Sequence, residues 1–301
     1  MANQIRVVLS CNGRTLTFGK DSDIDITKIT GLESSDIEIS KSDNALVDGE
    51  TVDGLKIKGR PIHIEASFRD LKNNKENRQN LIKFFNPKYT GKALIEYMGV
   101  SRNIEYRLEG WTFKAKASLD ARLAIVVDLY CPDPYMLNID NFGKNMAAYT
   151  PLFAFPWIIT AKKVTGLKRP YSGLALGGRA AGYRTLHKEV ALSNDGDVPT
   201  GVIIKFVATR GPVSNPKIAR IGTGQFMRVK VEMAKGDVLV IDTNERHQIV
   251  ELNGVNCYQR VDRRSEPFQL DVGENYLEYA ADTNYVNLDV NIYYTPKYLG
   301  V

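Results

Sequence analysis

The chain has 301 residues, 43% of them hydrophobic and 25% charged, a composition typical of a folded protein large enough for two domains rather than of a disordered one. No stretch approaches the roughly 18 uncharged apolar residues that a membrane span needs, and the N-terminus lacks the apolar core of a secretory signal, so we expect synthesis and folding in a cytoplasm. The formal net charge of +5 is too small to indicate nucleic-acid binding by the chain as a whole.

Alternation of apolar and polar residues with a period of two dominates the chain and predicts half-buried β-strands. Asn12-Gly13 and Asn253-Gly254 each lie between apolar runs, and this dipeptide supplies the two positive-φ residues of a type I′ hairpin turn. A helix could not bury the alternating sets together, because its apolar stripe repeats every three to four residues. In the first half of the chain these sets are Ile62, Ile64, Ala66 and Phe68, followed by Ile104, Tyr106 and Leu108.

One segment, residues 72–86, departs from this pattern and predicts a helix of about three turns packed over a sheet. Asn73 with Glu76 three residues later resembles a capping box, and Pro87 ends the run. The apolar residues lie in the C-terminal half of the segment, so we expect only that half to be firmly anchored. The residues with spacings that suit one helical face are Leu81, Ile82 and Phe85.

A boundary between two halves is predicted at Pro132 and Pro134, which end the strand predicted over residues 121–130 because proline cannot donate to a sheet ladder. Residues 140–151 are then predicted to form a connector. The second half returns to period-two alternation. Its alternating apolar sets are Met227, Val229, Val231 and Met233, followed by Val286, Leu288, Val290 and Ile292.

Residues 141–188 contain eight Lys or Arg residues and no Asp or Glu. Such a stretch could face an acidic partner or nucleic acid, since closely spaced cations raise the local potential. We favour a solvated surface loop, because the aromatic residues there are too few for a base-stacking platform. The glycine-rich run 173–182 fits neither a P-loop nor a dinucleotide-binding spacing and also predicts a loop. The candidate binding residues of this basic loop are Lys168, Arg169, Arg179 and Arg184.

Residue types that carry catalysis or bind metals occur singly. The cysteines are odd in number and far apart, which favours reduced structural thiols, and the histidines show no metal-ligand spacing. Residues 194–197 predict a tight turn rather than a calcium loop, because Val202 stands where an EF-hand needs glutamate. We therefore predict no catalytic residue, no metal site and no cofactor. The residues concerned are Cys11, Cys131, Cys257, His63, His187 and His247.

A series of short motifs runs in order along nearly the whole chain. In the first half they are Phe84-Phe85-Asn86-Pro87, Arg102-Asn103-Ile104-Glu105-Tyr106, Glu109-Gly110-Trp111 and Cys131-Pro132-Asp133-Pro134-Tyr135. In the second half they are Phe153-Ala154-Phe155-Pro156 and the runs 194–200, 215–218, 236–243, 273–275 and 296–301. Taken as an ordered series, these motifs resemble the distal tail protein family of long-tailed bacteriophages, often called Dit.

The resemblance implies a mainly β fold that is all-β apart from one short helix. Residues 1–138 would form a β-sandwich-like ring domain and residues 139–301 a galectin-like β-sandwich, with about residues 293–301 packing back on the first domain. Six copies would form a ring hub at the tip of the tail, where it joins the tail tube protein to the tip, baseplate and receptor-binding proteins of a virion assembled in the bacterial host cytoplasm. DNA would pass through the lumen without specific binding, which agrees with the near-neutral charge of residues 1–138.

Two other functions compete with this structural role. A galectin-like sandwich also suits a carbohydrate-binding module that contributes to host-surface adhesion, but sugar sites usually need an exposed aromatic platform. Trp111 and Trp157 both lie in apolar runs that favour core positions. An enzyme, such as a tail-associated hydrolase, is disfavoured because no paired acid and base residues are recognisable. We therefore expect a non-enzymatic structural protein.

Overall fold

The computed structural model shows a chain that is mainly β, which confirms the predicted fold class. None of the helices in the described residues is long and apolar enough to cross a membrane. The residues that the structure describes are 5–43, 48–70, 73–114, 122–139, 142–145, 147–151, 182–186 and 189–301.

The first half of the described chain contains ten strands and one helix. The helix, α1 (Asn74–Phe84), lies between the sixth and seventh strands. The strands are β1 (Arg6–Cys11), β2 (Arg14–Gly19), β3 (Ile24–Thr30), β4 (Ile37–Asp43), β5 (Glu50–Ile57), β6 (Arg60–Phe68), β7 (Thr90–Tyr97), β8 (Val100–Phe113), β9 (Ala124–Cys131) and β10 (Met136–Leu137).

Most of these strands form one antiparallel sheet with the order β2-β1-β7-β8-β9-β6-β3. Its end strands, β2 and β3, follow one another in the chain across a short turn, so the sheet curls back on itself around a single core. The predicted type I′ turn is confirmed, since Asn12 and Gly13 both have positive φ between β1 and β2. The inward side chains of this core include Val7, Leu9, Phe18, Ile62, Ile64, Ile95, Ile104, Ile125, Val127 and Leu129.

Helix α1 lies within the predicted segment, but two details of the prediction are wrong. Ile82 is 46% exposed, and Phe84 is buried in its place beside Leu81 and Phe85. Leu81, Phe84 and Phe85 are related as i, i+3 and i+4 and form one apolar stripe, and Ile82 lies about 60° beyond its edge at Phe85. The capping box does not form, because the Asn73 side chain makes no cap hydrogen bond and instead donates to Asp70 Oδ2 at 2.9 Å.

The second half of the described chain supplies the remaining strands and two short 3-10 helices, at Tyr258–Arg260 and Tyr285–Asn287. The strands are β11 (Phe142–Asn145), β12 (Ala147–Pro151), β13 (Gly182–Leu186), β14 (Glu189–Asn194), β15 (Val202–Ala208), β16 (Val213–Ser214), β17 (Lys217–Arg220), β18 (Phe226–Arg228), β19 (Glu232–Met233), β20 (Val238–Asp242), β21 (Ile249–Leu252), β22 (Val255–Asn256), β23 (Gly273–Ala280), β24 (Leu288–Tyr294) and β25 (Lys297–Tyr298).

Two of the resulting sheets enclose a second core and form a β-sandwich. A six-stranded sheet has the order β11-β24-β15-β20-β21-β22, and a four-stranded sheet has the order β14-β23-β17-β18. Asn253 and Gly254 have positive φ between β21 and β22, as predicted. The core between the sheets includes Ile204, Phe206, Ile218, Leu239, Ile241, Phe268, Leu277, Tyr279, Val290 and Ile292.

Three predictions for the second half need correction. Residues 140–151 are not a simple connector, because β11 pairs with β24 and β12 pairs with β13. The residues from Met227 to Met233 are buried alternately as predicted, but the strand is broken, since β18 pairs with β17 whereas β19 pairs with β16. Val286 is 41% exposed, because the chain forms a 3-10 turn there and β24 begins only at Leu288.

The three cysteines are free and buried, as predicted for structural thiols. Burial raises the pKa of Cys131 to about 12 and also raises the pKa of Cys257. Because the thiolate is the reactive species, we expect Cys131 in the native protein to react with a disulfide reagent at pH 8 at least about 100-fold more slowly than in denaturant. Mass spectrometry of the mixed-disulfide peptides over time measures this, and rapid native labelling of Cys131 would contradict it.

Candidate interaction surfaces

Most of the predicted basic loop lies outside the described residues. Arg184 lies in β13, where its backbone pairs with Tyr149, whereas Lys168, Arg169 and Arg179 lie outside the described residues. His187 and Trp157 also lie outside them. The other tryptophan, Trp111, packs on the core of the curled sheet, with its ring centroid 5.2 Å from that of Phe85, in agreement with the prediction.

The histidines of the described residues lie beside carboxylates near the surface. His63 Nδ1 lies 2.6 Å from Asp128 Oδ1, and His63 Nε2 lies 3.4 Å from Glu65 Oε1. Hydrogen bonds from Lys114 and then from His63 lower the pKa of Glu65. His247 Nδ1 lies 3.3 Å from Asp242 Oδ2. In the part of the chain that the structure describes, no group of three or more His, Cys, Asp or Glu residues is arranged to hold a metal ion.

A more distinctive surface is the β4–β5 hairpin, a two-stranded ribbon that lies outside both cores. Its register places Ile37 opposite Ile57 and Ile39 opposite Leu55, and directly opposed side chains lie on the same face of a sheet. Four of its large apolar side chains are strongly exposed: Ile37 at 58%, Ile39 at 47%, Val52 at 60% and Leu55 at 64%.

The opposite face of this ribbon is polar. Glu38 is paired with Lys56 in register, and the Glu38 carboxylate lies 3.5 Å from Lys58 Nζ. The ribbon is therefore amphipathic, although neither of its faces is covered by the chain's own cores. This surface was not predicted from the sequence. The alternation of Ile37 and Ile39 with polar residues is visible in the sequence, but it cannot show whether the apolar face is covered by the same chain.

A cleft of about 630 Å³ lies where the two halves of the chain meet. Tyr135 and Glu105 line it from the first half, and Ile203, Arg246 and Tyr293 line it from the sandwich. Ile203 and Tyr293 are register partners on β15 and β24, and both are more than a third exposed. The cleft thus combines the exposed ring of Tyr293 with charged and polar side chains.

The turn predicted over residues 194–197 is confirmed, and its first residue has a larger role than the sequence suggested. Asn194 is buried; its Nδ2 donates to the carbonyl oxygens of Val198 and Leu270 at 3.0 and 3.2 Å. Its Oδ1 accepts from Gly196 N at 3.1 Å. This arrangement fixes the turn so that the Asp197 N–H donates to the Lys297 carbonyl oxygen at 2.8 Å.

Asp262 in the sandwich provides a test of pH dependence. Its carboxylate accepts from Arg264 N at 3.0 Å and lies 3.2 Å from Lys230 Nζ, and these two bonds lower its pKa. A lowered folded-state pKa adds stability above the unfolded value of about 3.9, and this contribution is lost as the pH falls through the folded-state value. We expect Asp262→Asn to destabilise the protein at pH 7 and the difference from the wild type to shrink below about pH 4. Urea unfolding at a series of pH values measures this; a difference that is constant with pH would contradict it.

A family model matches most of the second half of the chain. Residues 195–298 match the family model described as the siphovirus-type tail component, C-terminal domain. Among curated proteins, no match to this sequence is found.

Two solved phage structures share the fold. The Dit (gp 19.1) protein of phage SPP1, described as a paradigm of the hub adsorption apparatus in Gram-positive infecting phages, superposes with a TM-score of 0.67 at 14% identity, over 97% of this chain and 99% of that one. A chain of the phage P2 baseplate, in its activated conformation with Ca, gives a TM-score of 0.50 at 11% identity over the full length of both chains. The resemblance to the distal tail protein family is therefore confirmed: residues 195–298 match the model of the siphovirus-type tail component C-terminal domain, in a chain that shares its fold with SPP1 Dit.

Proposed function

We propose that this chain is a structural subunit of a phage tail tip, and that copies of it assemble into a ring hub, a hexamer by the family resemblance, which joins the tail tube to the tip or baseplate and the receptor-binding apparatus. Residues 1–138 would build the ring, and the galectin-like sandwich of residues 139–301 would project from it. The family match over residues 195–298 and the shared fold support the place in a phage tail, and the observation that carries the proposed self-assembly is the β4–β5 ribbon with its exposed apolar face.

The physical argument starts from the instability of an isolated ribbon. A two-stranded hairpin is at best marginally stable in water without a third strand or another covering element. Full burial of an aliphatic side chain contributes about 1.5–3 kcal/mol, so covering Ile37, Ile39, Val52 and Leu55 would favour both the ribbon and the association. A second copy of the chain would provide this cover in the structural role proposed.

The geometry of such a contact also suits a closed assembly. The ribbon of one copy would lie on a different surface of its neighbour, which makes the interface head-to-tail, and head-to-tail contacts close into rings when their rotation matches the subunit number. The proposal needs no catalytic group. The tail tube protein and the tip proteins are the expected neighbours in the virion, and DNA would pass through the lumen without specific binding.

The direct test is the assembly state of the purified chain. Native mass spectrometry and negative-stain electron microscopy at micromolar concentrations should show a discrete oligomer and annular particles with a central opening. A monomer at every concentration, both alone and mixed with a tail tube protein and a tip protein from the same phage, would overturn the proposal.

Saccharide binding remains a second candidate function, and the cleft is the observation that favours it. Tyr293 is 41% exposed there, beside Arg246, His247 and Asn244, and an accessible ring with polar neighbours is the usual chemistry of a sugar site. A glycan array should then show binding that Tyr293→Ala abolishes, whereas Tyr258→Ala, an exposed tyrosine elsewhere, leaves it unchanged. An array without hits would exclude this function.

A further inference from the structure

The most unusual buried group in the described structure is the guanidinium of Arg60, at the start of β6. Arg60 is only 1% exposed, and no described carboxylate forms an ion pair with it. Its donors are instead satisfied by backbone carbonyl oxygens. Nε donates to Pro134 at 2.9 Å, and Nη1 donates to Gly31 and Leu32 at 2.9 and 3.1 Å. Nη2 donates to the carbonyl oxygen of Leu299.

The fourth of these acceptors comes from the opposite end of the sequence. Residues 296–301, which we call the strap, follow the last strand of the sandwich and cross to the curled sheet. Lys297 and Tyr298 form β25, which pairs with β10. The Arg102 guanidinium lies 3.5 Å from the Tyr298 ring centroid, and the Val301 N–H donates to the Leu32 carbonyl oxygen at 3.3 Å.

The strap is bonded to the sandwich as well. The Lys297 carbonyl oxygen accepts from Asp197 N, and the Leu299 N–H donates to Asp197 Oδ2 at 2.9 Å. Its hydrogen bonds therefore run to β10 on one side and to the turn at Asp197 on the other. Tyr298 and Val301 pack against the core of the curled sheet, whereas the core of the sandwich ends at Tyr294.

The two cores share no residue, so the orientation of one half relative to the other depends on what crosses between them. We propose that the strap is a latch that fixes the sandwich against the curled sheet, and that Arg60 is the positioning residue that holds it closed. The dependence is mutual. Without the strap, Nη2 of a buried cation loses its acceptor, and without Arg60 the Leu299 carbonyl oxygen loses its donor; each loss is costly inside a protein.

Hydrogen exchange of the full chain, followed by mass spectrometry, tests this proposal together with small-angle X-ray scattering. In Arg60→Met, which keeps an unbranched side chain but is shorter and has no donor, the amides of residues 297–301 and of Asn138, which donates to the Pro296 carbonyl oxygen, should exchange roughly 10- to 100-fold faster. The amides of β15 and β20 should keep their wild-type protection, and the radius of gyration should increase. Arg14→Met is the matched control, because Arg14 donates to a single backbone carbonyl oxygen at the surface.

A second variant separates the latch from the buried charge. A Cβ atom at Gly300 would lie 2.8 Å from the carbonyl oxygens of both Leu32 and Glu33, so Gly300→Val should push the strap away while every donor of Arg60 stays in place. Gly300→Val should show the same faster exchange in the strap and the same larger radius of gyration as Arg60→Met. If Arg60→Met fails to fold, Gly300→Val alone tests whether the strap is a latch. Wild-type exchange in the strap of Gly300→Val, or equal acceleration throughout the sandwich, would overturn the proposal. The wild type and the variants are compared in the same assembly state, so the outcome does not depend on ring formation.

Discussion

A chain carrying Ile39→Asp and Leu55→Asp should remain folded but fail to assemble with other copies. The two residues lie opposite each other on the apolar face of the β4–β5 ribbon, and they are 47% and 64% exposed within one subunit. The subunit itself therefore loses little when they become charged. An interface that buries them would have to desolvate two carboxylates, which costs several kcal/mol for each unpaired charge. Native mass spectrometry should show monomers where the wild type shows rings.

The opposite face of the same ribbon supplies the control. Ser40→Asp with Lys56→Asn changes the net charge by the same amount, but both positions lie on the polar face beside Glu38. This double variant should assemble like the wild type. If it loses assembly as well, charge rather than the apolar face governs association. If the Ile39 and Leu55 variant still forms rings, the ribbon is not the contact between copies.

The second large effect is expected at Gly31, in the loop that follows β3. Gly31 has a φ of +90°, and a Cβ atom there would lie 2.0 Å from the Pro61 carbonyl oxygen. An alanine therefore combines the strain of a left-handed backbone with a collision against rigid main chain. It would also displace the carbonyl oxygen that accepts from Arg60 Nη1. We expect Gly31→Ala to lower the free energy of unfolding by about 3 kcal/mol or more, measured by urea denaturation.

Gly222 separates the two contributions to this effect. It has the same φ of +90°, but a Cβ atom there would meet nothing within 4 Å. Gly222→Ala should therefore cost only the backbone strain, about 1–2 kcal/mol. Equal losses in the two variants would show that the contact with Pro61 is relieved without cost, and that the loop beside Arg60 is softer than its packing suggests.

Local patterns in the sequence predicted those elements whose partners lie nearby. The Asn-Gly turns, the buried face of β6 and the existence of α1 follow from positive-φ turns and from periods of two or of three to four residues, and the structure confirms each of them. The secondary-structure predictions were wrong where tertiary contacts, rather than local sequence, determine the conformation. Val286 continues an alternating pattern into a 3-10 turn, and residues 142–145 have too few apolar neighbours in sequence to reveal that they pair with β24.

The candidate surfaces were beyond the reach of sequence patterns for a related reason. Arginine is almost never fully buried, so nothing in the sequence around Arg60 distinguishes it from a surface residue at the start of a strand. Its environment is assembled from three distant loops, at Gly31, Pro134 and Leu299. For the β4–β5 ribbon the apolar alternation is visible in the sequence. The sequence does not show that the apolar face is left uncovered by the same chain. The ordered series of motifs predicted the correct fold because its members are distributed along nearly the whole chain.

The pairing of Arg60 with Leu299 joins positions 239 residues apart, and this separation bears on kinetics. The entropic cost of closing so long a loop grows only with the logarithm of its length, but non-local contacts of this kind slow folding. The core of the sandwich is drawn from residues 190–294 alone, so it can form first. The curled sheet is complete only when β25 has paired with β10. Refolding should therefore end with a slow step in which the strap binds to Arg60 at the start of β6.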